Sequence, residues 1–194
     1  AAAADVYKRQ IKGNSEELIG VDNRADLAIA EGVMQERLRA KAMEGGATLI
    51  DPQTIYFSYD TKMGRDVTVG PHVVFGPADT IANNVTIRPF CHIEGAKIAE
   101  YTVVGPFARL RPGTNLAEDV RVGNFVDIKN TELGKRTKVN HLTYLGDTRV
   151  GSDANIGAGT ITCNYDGFSK QITEIGPGAF IGSNTALVAP LEVG

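Results

Sequence analysis

The sequence predicts a mainly β protein, a parallel β-helix of triangular cross-section preceded by one α-helix, and three observations carry that prediction. A large apolar residue returns at every sixth position through Val69, Phe75, Ile81, Ile87 and Ile93, then from Ile98 to Ile128, then from Leu133 through Val139 and Leu145. The series continues with Val150 and Ile156 and, after a break, with Ile175, Ile181, Leu187 and Val193. Gly often follows, as in Val69-Gly70, Val104-Gly105, Val122-Gly123, Leu145-Gly146 and Ile181-Gly182. Four residues after the apolar position the side chain is usually small, as at Val73, Cys91, Ala108, Thr137 and Ala154. A six-residue period suits neither an amphipathic helix nor a simple hairpin sheet. It marks a solenoid in which each hexad is one short strand plus a corner, and three hexads close a coil. The apolar residue points inward, the small residue packs beside it, and Gly or Asn is expected at the corner, where positive φ is needed. Coils stack at an inter-strand spacing of ~4.8 Å.

Residues 1–20 open with an Ala run and a polar stretch that gives no structural signal. Asp22 or Asn23 is then placed to cap a helix whose apolar positions Leu27, Val33, Met34, Leu38 and Met43 follow helical spacing. Gly45-Gly46 ends it. The helix is assigned to 23–46 and the β-helix to 47–194, with Asp51-Pro52 a turn and Ile55–Tyr59 a strand at its start. Three hexads are one residue short: Ile93 to Ile98, Ile128 to Leu133 and Leu145 to Val150. Between Ile156 and Ile175 the stretch Thr162–Lys170 fits no rung and reads as an ejected loop holding Asn164, Tyr165 and Lys170 beside a Gly turn. Such a loop costs ordering entropy, and loops of this kind often carry function.

Composition narrows the function classes. The net charge is −3 and the 20 basic residues form no run, which argues against a nucleic-acid partner. No apolar segment reaches the ~20 residues that cross a bilayer, and no secretory signal is present, so a cytoplasmic location is expected. The two cysteines make no disulfide framework; Cys91 reads as an inward core thiol.

The repeat also predicts which side chains are neighbours. Leu110 opens face A, Leu116 face B and Val122 face C. Arg111 and Lys129 then share one position on face A, one coil apart, where they either extend into solvent or share an anion such as a phosphate. His141 points outward on face C, with Asn124 one coil before it and Ala158 one coil after. Tyr144 closes that face near the Arg111–Lys129 column, and Asn155 ends the next face B. Histidine is the natural general base near neutral pH, so the group suggests proton abstraction from a nucleophile on a phosphorylated substrate. A zinc site is the other use of histidine, but His72 and His92 stand three or four coils from His141, too far to share a metal within one chain.

Four strings make the chain recognisable: Gly105-Pro-Phe-Ala-Arg-Leu-Arg-Pro-Gly113, Val122-Gly-Asn-Phe-Val126, His141-Leu-Thr-Tyr-Leu-Gly-Asp147 and Asn155-Ile-Gly-Ala-Gly-Thr-Ile-Thr-Cys-Asn-Tyr-Asp-Gly167. From about Leu18 onward the chain resembles the bacterial bifunctional N-acetylglucosamine-1-phosphate uridyltransferase / glucosamine-1-phosphate acetyltransferase family. The resemblance implies a left-handed prism, against the usual right-handed crossover, and a homotrimer with sites between subunits. It implies acetyl transfer from acetyl-CoA to the amine of glucosamine 1-phosphate, on the route to UDP-N-acetylglucosamine. By the same resemblance His141 is the general base, and Arg111, Lys129 and Lys170 bind the sugar phosphate. Tyr144 and Asn155 match sugar contacts, while Ala158, Asn164, Tyr165 and Ser183 match acetyl-CoA contacts.

Departures from the family pattern set further expectations. The nucleotide-transferring domain is almost wholly absent, 1–22 being its remnant. Asp22 stands where the family has an Asn that binds Mg2+, so uridyl transfer is expected to lie outside this chain. Two further acetyl-CoA contacts are expected beyond Gly194, and the prism is about one coil shorter than in some members. Two other readings compete: an inert trimeric scaffold, and an acyltransferase for a different acceptor such as a nucleotide sugar or serine.

Overall fold

Most rungs are strands of two residues whose second residue enters the prism, because alternate residues of a strand face opposite ways. The computed structural model describes Lys12 and Ser15–Gly194, so most of 1–22 lies outside the described residues. The chain divides into two compact units, 1–37 and 38–194, and the division falls inside the helix. All strand pairs are parallel, as a solenoid requires. Face C is an eight-stranded sheet that includes Thr68–Val69, Arg121–Asn124, Lys138–His141, Asn155–Ile156 and Phe180–Ile181. Faces A and B join into one sheet because Asp127–Leu133 and Tyr144–Val150 run through the corner between them as seven-residue strands. Those strands coincide with two of the short hexads, where loss of one residue lets the ladder continue through the corner while Asn130 and Asp147 keep positive φ. Coils other than the first and the one that holds the excursion are therefore 17 or 18 residues long, as in the registers Asp127↔Tyr144 and Arg109↔Asp127.

The core is the set of inward columns: Val69, Ile87, Val104, Val122, Val139 and Ile156 from face C, with Ile93, Leu110, Ile128 and Leu145 from face A and Ile98, Leu116 and Leu133 from face B, all buried. Each such side chain contributes ~2 kcal/mol by leaving water. Cys91 is buried among them, and burial pushes its thiol up to about 11.

Three expectations change on inspection. First, the corner does not depend on Gly or Asn. Fifteen non-glycine residues among those described have positive φ, including His72, Phe90, Phe107, Phe125 and Leu142 at one corner. The corner residue stands three places after the apolar one, or two in a short hexad. Stacking helps to offset the ~1 kcal/mol cost of the left-handed conformation: the rings of His72, Phe90, Phe107 and Phe125 form one column with centroids 4.9, 4.8 and 5.3 Å apart. The Gly that follows the apolar residue serves a different need, close approach of the next coil. A Cβ on Gly157 would lie 2.7 Å from the Gly182 carbonyl carbon, and one on Gly123 would meet the Asn140 carbonyl oxygen.

Second, Thr162 is a rung rather than loop. It is buried and in register with Leu187, and its hydroxyl accepts from Gly146 N–H at 2.8 Å. A polar side chain fits the inward position because its one hydroxyl finds a backbone partner. The excursion proper begins after Cys163.

Third, the helix, Arg24–Glu44, does not bury the stripe its spacing suggests: Leu27, Met34 and Met43 are exposed. Within the second unit, Leu38 and Ala42 pack on the core, and the buried Arg39 donates to the Ile55 carbonyl at 3.3 Å. Asn23 is the cap, accepting from Ala25 and Asp26 N–H at 2.8 and 3.0 Å. At the other end Gly46 has φ 100°, with Ala47 N–H bonded to Ala42 and Gly46 N–H to Met43, a Schellman closure.

Candidate functional site

On face C, the strand Lys138–His141 pairs with Arg121–Asn124 so that His141 lies directly over Asn124. The Asn124 Oδ1 sits 2.8 Å from His141 Nδ1. A carbonyl oxygen only accepts, so Nδ1 carries the proton and Nε2 carries the free lone pair. The registers Val139↔Ile156 and Ile156↔Ile181 continue the same column upward to Ala158 and Ser183. Backbone bonds join its corners, Gly159 N–H to His141 O at 3.3 Å and Asn184 N–H to Ala158 O at 2.7 Å. A basic nitrogen thus stands below two small residues in an outward-facing file at ~4.8 Å per step.

The cations gather on face A. Leu110↔Ile128 brings Arg111 and Lys129 one coil apart, and the ejected loop adds Lys170 beside them. The Lys170 ammonium, by hydrogen bonding and by repulsion, holds Lys129 below the usual lysine range, and Arg111 adds to the effect. Arg111 is also 3.8 Å from the Asp127 carboxylate. Three positive groups this close favour a ligand with more than one negative charge.

Two residues that sequence reasoning missed shape this corner. Gly146 leaves room that a Cβ would deny: the Tyr144 hydroxyl and the Asn164 amide occupy it. Asp147 is buried, and its carboxylate accepts from the Asn130 amide at 2.5 Å and from the Asn164 amide. Burial alone would raise its pKa, but the two amides, with Lys170 and Lys129, outweigh burial and hold it below the usual carboxylate range. The signal was present in the spacing, since Asn130, Asp147 and Asn164 are each 17 residues apart, the same interval as Asn124 and His141.

The loop itself closes on Tyr165↔Lys170, a single antiparallel bridge. Asp166 caps its turn, accepting from Phe168 and Ser169 N–H at 2.8 and 2.7 Å, and the exposed Tyr165 donates its hydroxyl to Gly167 O. Asn155 does not join the cations within one chain. It pairs with Lys138 and Phe180 at the other end of the face C strand, in a groove of ≈ 600 Å³ shared with Asn140 and Arg136. Asp22 is exposed and donates its N–H to Asp26. Among the described residues no group of three or more His, Cys, Asp or Glu could hold a metal ion.

The six-residue rungs, the three faces and the single excursion define the class of the chain, a hexapeptide-repeat β-helix. Comparison of sequences narrows it. The chain is 62% identical over 184 residues to the bifunctional protein GlmU of Rhodospirillum rubrum, and 58% identical over 184 residues to that of Paramagnetospirillum magneticum. Each match covers 95% of this chain and 41% of the relative. The chain belongs to the GlmU family and spans about two-fifths of the length of these relatives. No family model matches it. Among solved structures, the acetyltransferase domain of PglB from Neisseria gonorrhoeae in complex with acetyl coenzyme A superposes with a TM-score of 0.40 and 13% identity, over 79% of this chain and 64% of that one. So distant a match leaves the fold to be read from the strands themselves.

Proposed function

We propose that the chain transfers acetyl from acetyl-CoA to the amine of glucosamine 1-phosphate. The observation that carries the reading is the His141–Asn124 pair, which leaves Nε2 as an outward-facing base. In this reaction the amine nitrogen attacks the thioester carbonyl, and His141 Nε2 takes the proton that the nitrogen must lose. The C–S bond then breaks, and the proton leaves with the CoA thiolate as free thiol. Arg111, Lys129 and Lys170 hold the sugar phosphate, and Tyr144 and Asn155 contact the sugar. Ala158 and Ser183, above the base, flank acetyl-CoA together with Asn164 and Tyr165. Because Asn155 stands apart from the cations in one chain, this reading is best served by a homotrimer whose sites draw on two subunits. A cytoplasmic location goes with these substrates. Uridyl transfer and its Mg2+ belong to the part of the relatives that this chain does not span.

The test is release of free thiol from acetyl-CoA, with glucosamine 1-phosphate against glucosamine 6-phosphate. Release with the 1-phosphate alone supports the reading, and release with another amine points to a different acceptor. Release with neither points either to a scaffold or to the acetyl-CoA contacts expected beyond Gly194, and the same assay on a chain extended past Gly194 decides between them. His141→Ala is expected to lower kcat by ~10²–10⁴-fold with unchanged thermal unfolding. Near-normal turnover in that variant would remove His141 from the base role.

A further inference from the structure

Asp147 takes no part in the chemistry just described, yet it is the most tightly held acid near it. It stands on the corner between faces A and B in a column with Gly113 and Asn130 below and Asn164 above, the register Tyr144↔Ile161 setting the last step. Both carboxylate oxygens are occupied, Oδ1 by the Asn130 amide and Oδ2 by the Asn164 amide. The column is built to keep them so. A Cβ on Gly113 would come within 2.9 Å of Asn130 Oδ1, so only Gly there lets the Asn130 side chain lie along the corner and aim its NH₂ at Asp147. Asn164 is the first residue of the excursion, next to the strand that ends at Cys163, and its carbonyl accepts Gln171 N–H at 2.9 Å where the chain returns. The clamp therefore grips the base of the loop that carries Lys170.

Charge points the same way. Lys129, Lys170 and Arg111 repel one another, and Lys170 rides on a loop closed by one bridge. Arg111 has Asp127 beside it. The field of Asp147 acts on both Lys129 and Lys170. With its oxygens turned to the amides, Asp147 balances the lysines without offering an acceptor to compete for the phosphate.

We infer that Asp147 is a positioning residue for the phosphate-binding lysines, anchoring the Lys170 loop through Asn164 and holding Lys170 and Lys129 together by charge. This rests on the acetyltransferase reading for its substrate, while the anchoring itself is a property of the corner. Asp147→Asn keeps the shape but sets an amide NH₂ against one of two amide donors and removes the charge. Asn130→Ala removes one clamp and keeps the charge.

The measurement is kcat and KM for glucosamine 1-phosphate, with KM for acetyl-CoA and thermal unfolding, for the parent chain and both variants. Calorimetric titration with glucosamine 1-phosphate alone accompanies it. The expected result is a rise in KM for glucosamine 1-phosphate of about tenfold or more in Asp147→Asn, a smaller rise in Asn130→Ala, and kcat within about twofold. An equal fall of kcat in both variants, or a loss of binding that only tracks a fall in unfolding temperature, overturns the inference and makes the clamp merely structural. If the parent chain releases no thiol, the acetyltransferase reading is decided separately, on the extended chain. The titration then decides for Asp147: weaker or lost glucosamine 1-phosphate binding in Asp147→Asn, at unchanged unfolding temperature, upholds it, and binding equal to the parent's, or no binding by the parent itself, overturns it.

Discussion

Asp79 occupies an inward position where the same column has Thr114, Thr131, Thr148 and Thr173 in later coils. The threonines Thr114, Thr131 and Thr148 donate their hydroxyls to backbone carbonyls such as Arg111 O, Lys129 O and Gly146 O. Asp79 accepts Ala96 N–H at 3.0 Å on one oxygen, while its other oxygen is buried without a partner. Burial, with repulsion from Asp60 and Glu94, outweighs that one bond and raises its pKa from 3.8 to about 7. The sign of the consequence follows from linkage. Below pH 3.8 both folded and unfolded chains hold the proton and nothing is lost. As pH rises from 3.8 to about 7 the unfolded chain ionises first, so stability falls, and above about 7 the loss is complete. The full loss is on the order of 4 kcal/mol. Asp79→Thr, which matches the column, is expected to unfold at higher denaturant than the parent at pH 8, with the difference shrinking toward pH 4. Equal midpoints at both values would show that Asp79 is not held neutral by the fold.

At the level of elements, paired strands rather than single residues hold the site. Gly123 lies between Val122, which is in the core, and Asn124, which orients His141. Because a Cβ there would strike the Asn140 backbone, Gly123→Ala forces the strands Arg121–Asn124 and Lys138–His141 apart. The expected cost is ~1–3 kcal/mol in denaturant titration, with kcat falling as well because the imidazole loses its register on Asn124. A variant of unchanged stability and activity would mean that the two coils are not in contact there. The inward columns and the Asn124–His141 pair were legible from the six-residue period, since period alone decides which residue stacks on which. The excursion was legible in outline, but its first residue was not, because Thr162 keeps the period with a hydroxyl in place of an apolar group. The helix was legible in its caps and not in its buried face, which depends on what the prism presents to it.

A solenoid coil touches only the coils beside it, so the β-helix is a stack of repeated neighbour interactions. Such a stack leaves outward surface unpaired, here the ridge of Phe90, Phe107, Phe125 and Leu142, all exposed. Light scattering on the purified chain is expected to give three times the chain mass, in keeping with a site shared between subunits. A monomer that still turns over glucosamine 1-phosphate would mean that one chain supplies every contact, Asn155 included.

By itself the sequence determined the repeat, the inward residues, the neighbours of His141 and the pairing of Arg111 with Lys129, because these follow from counting in sixes. Tertiary structure decided the rest. Which residues turn the corners depends on rings stacking across coils, and where glycine is obligatory depends on the space the next coil leaves. The Asn130–Asp147–Asn164 clamp exists because short hexads set these residues one 17-residue coil apart on a single corner. The interval itself could be counted in the sequence; that the two amides turn onto the Asp147 carboxylate is decided only when one coil closes on the next.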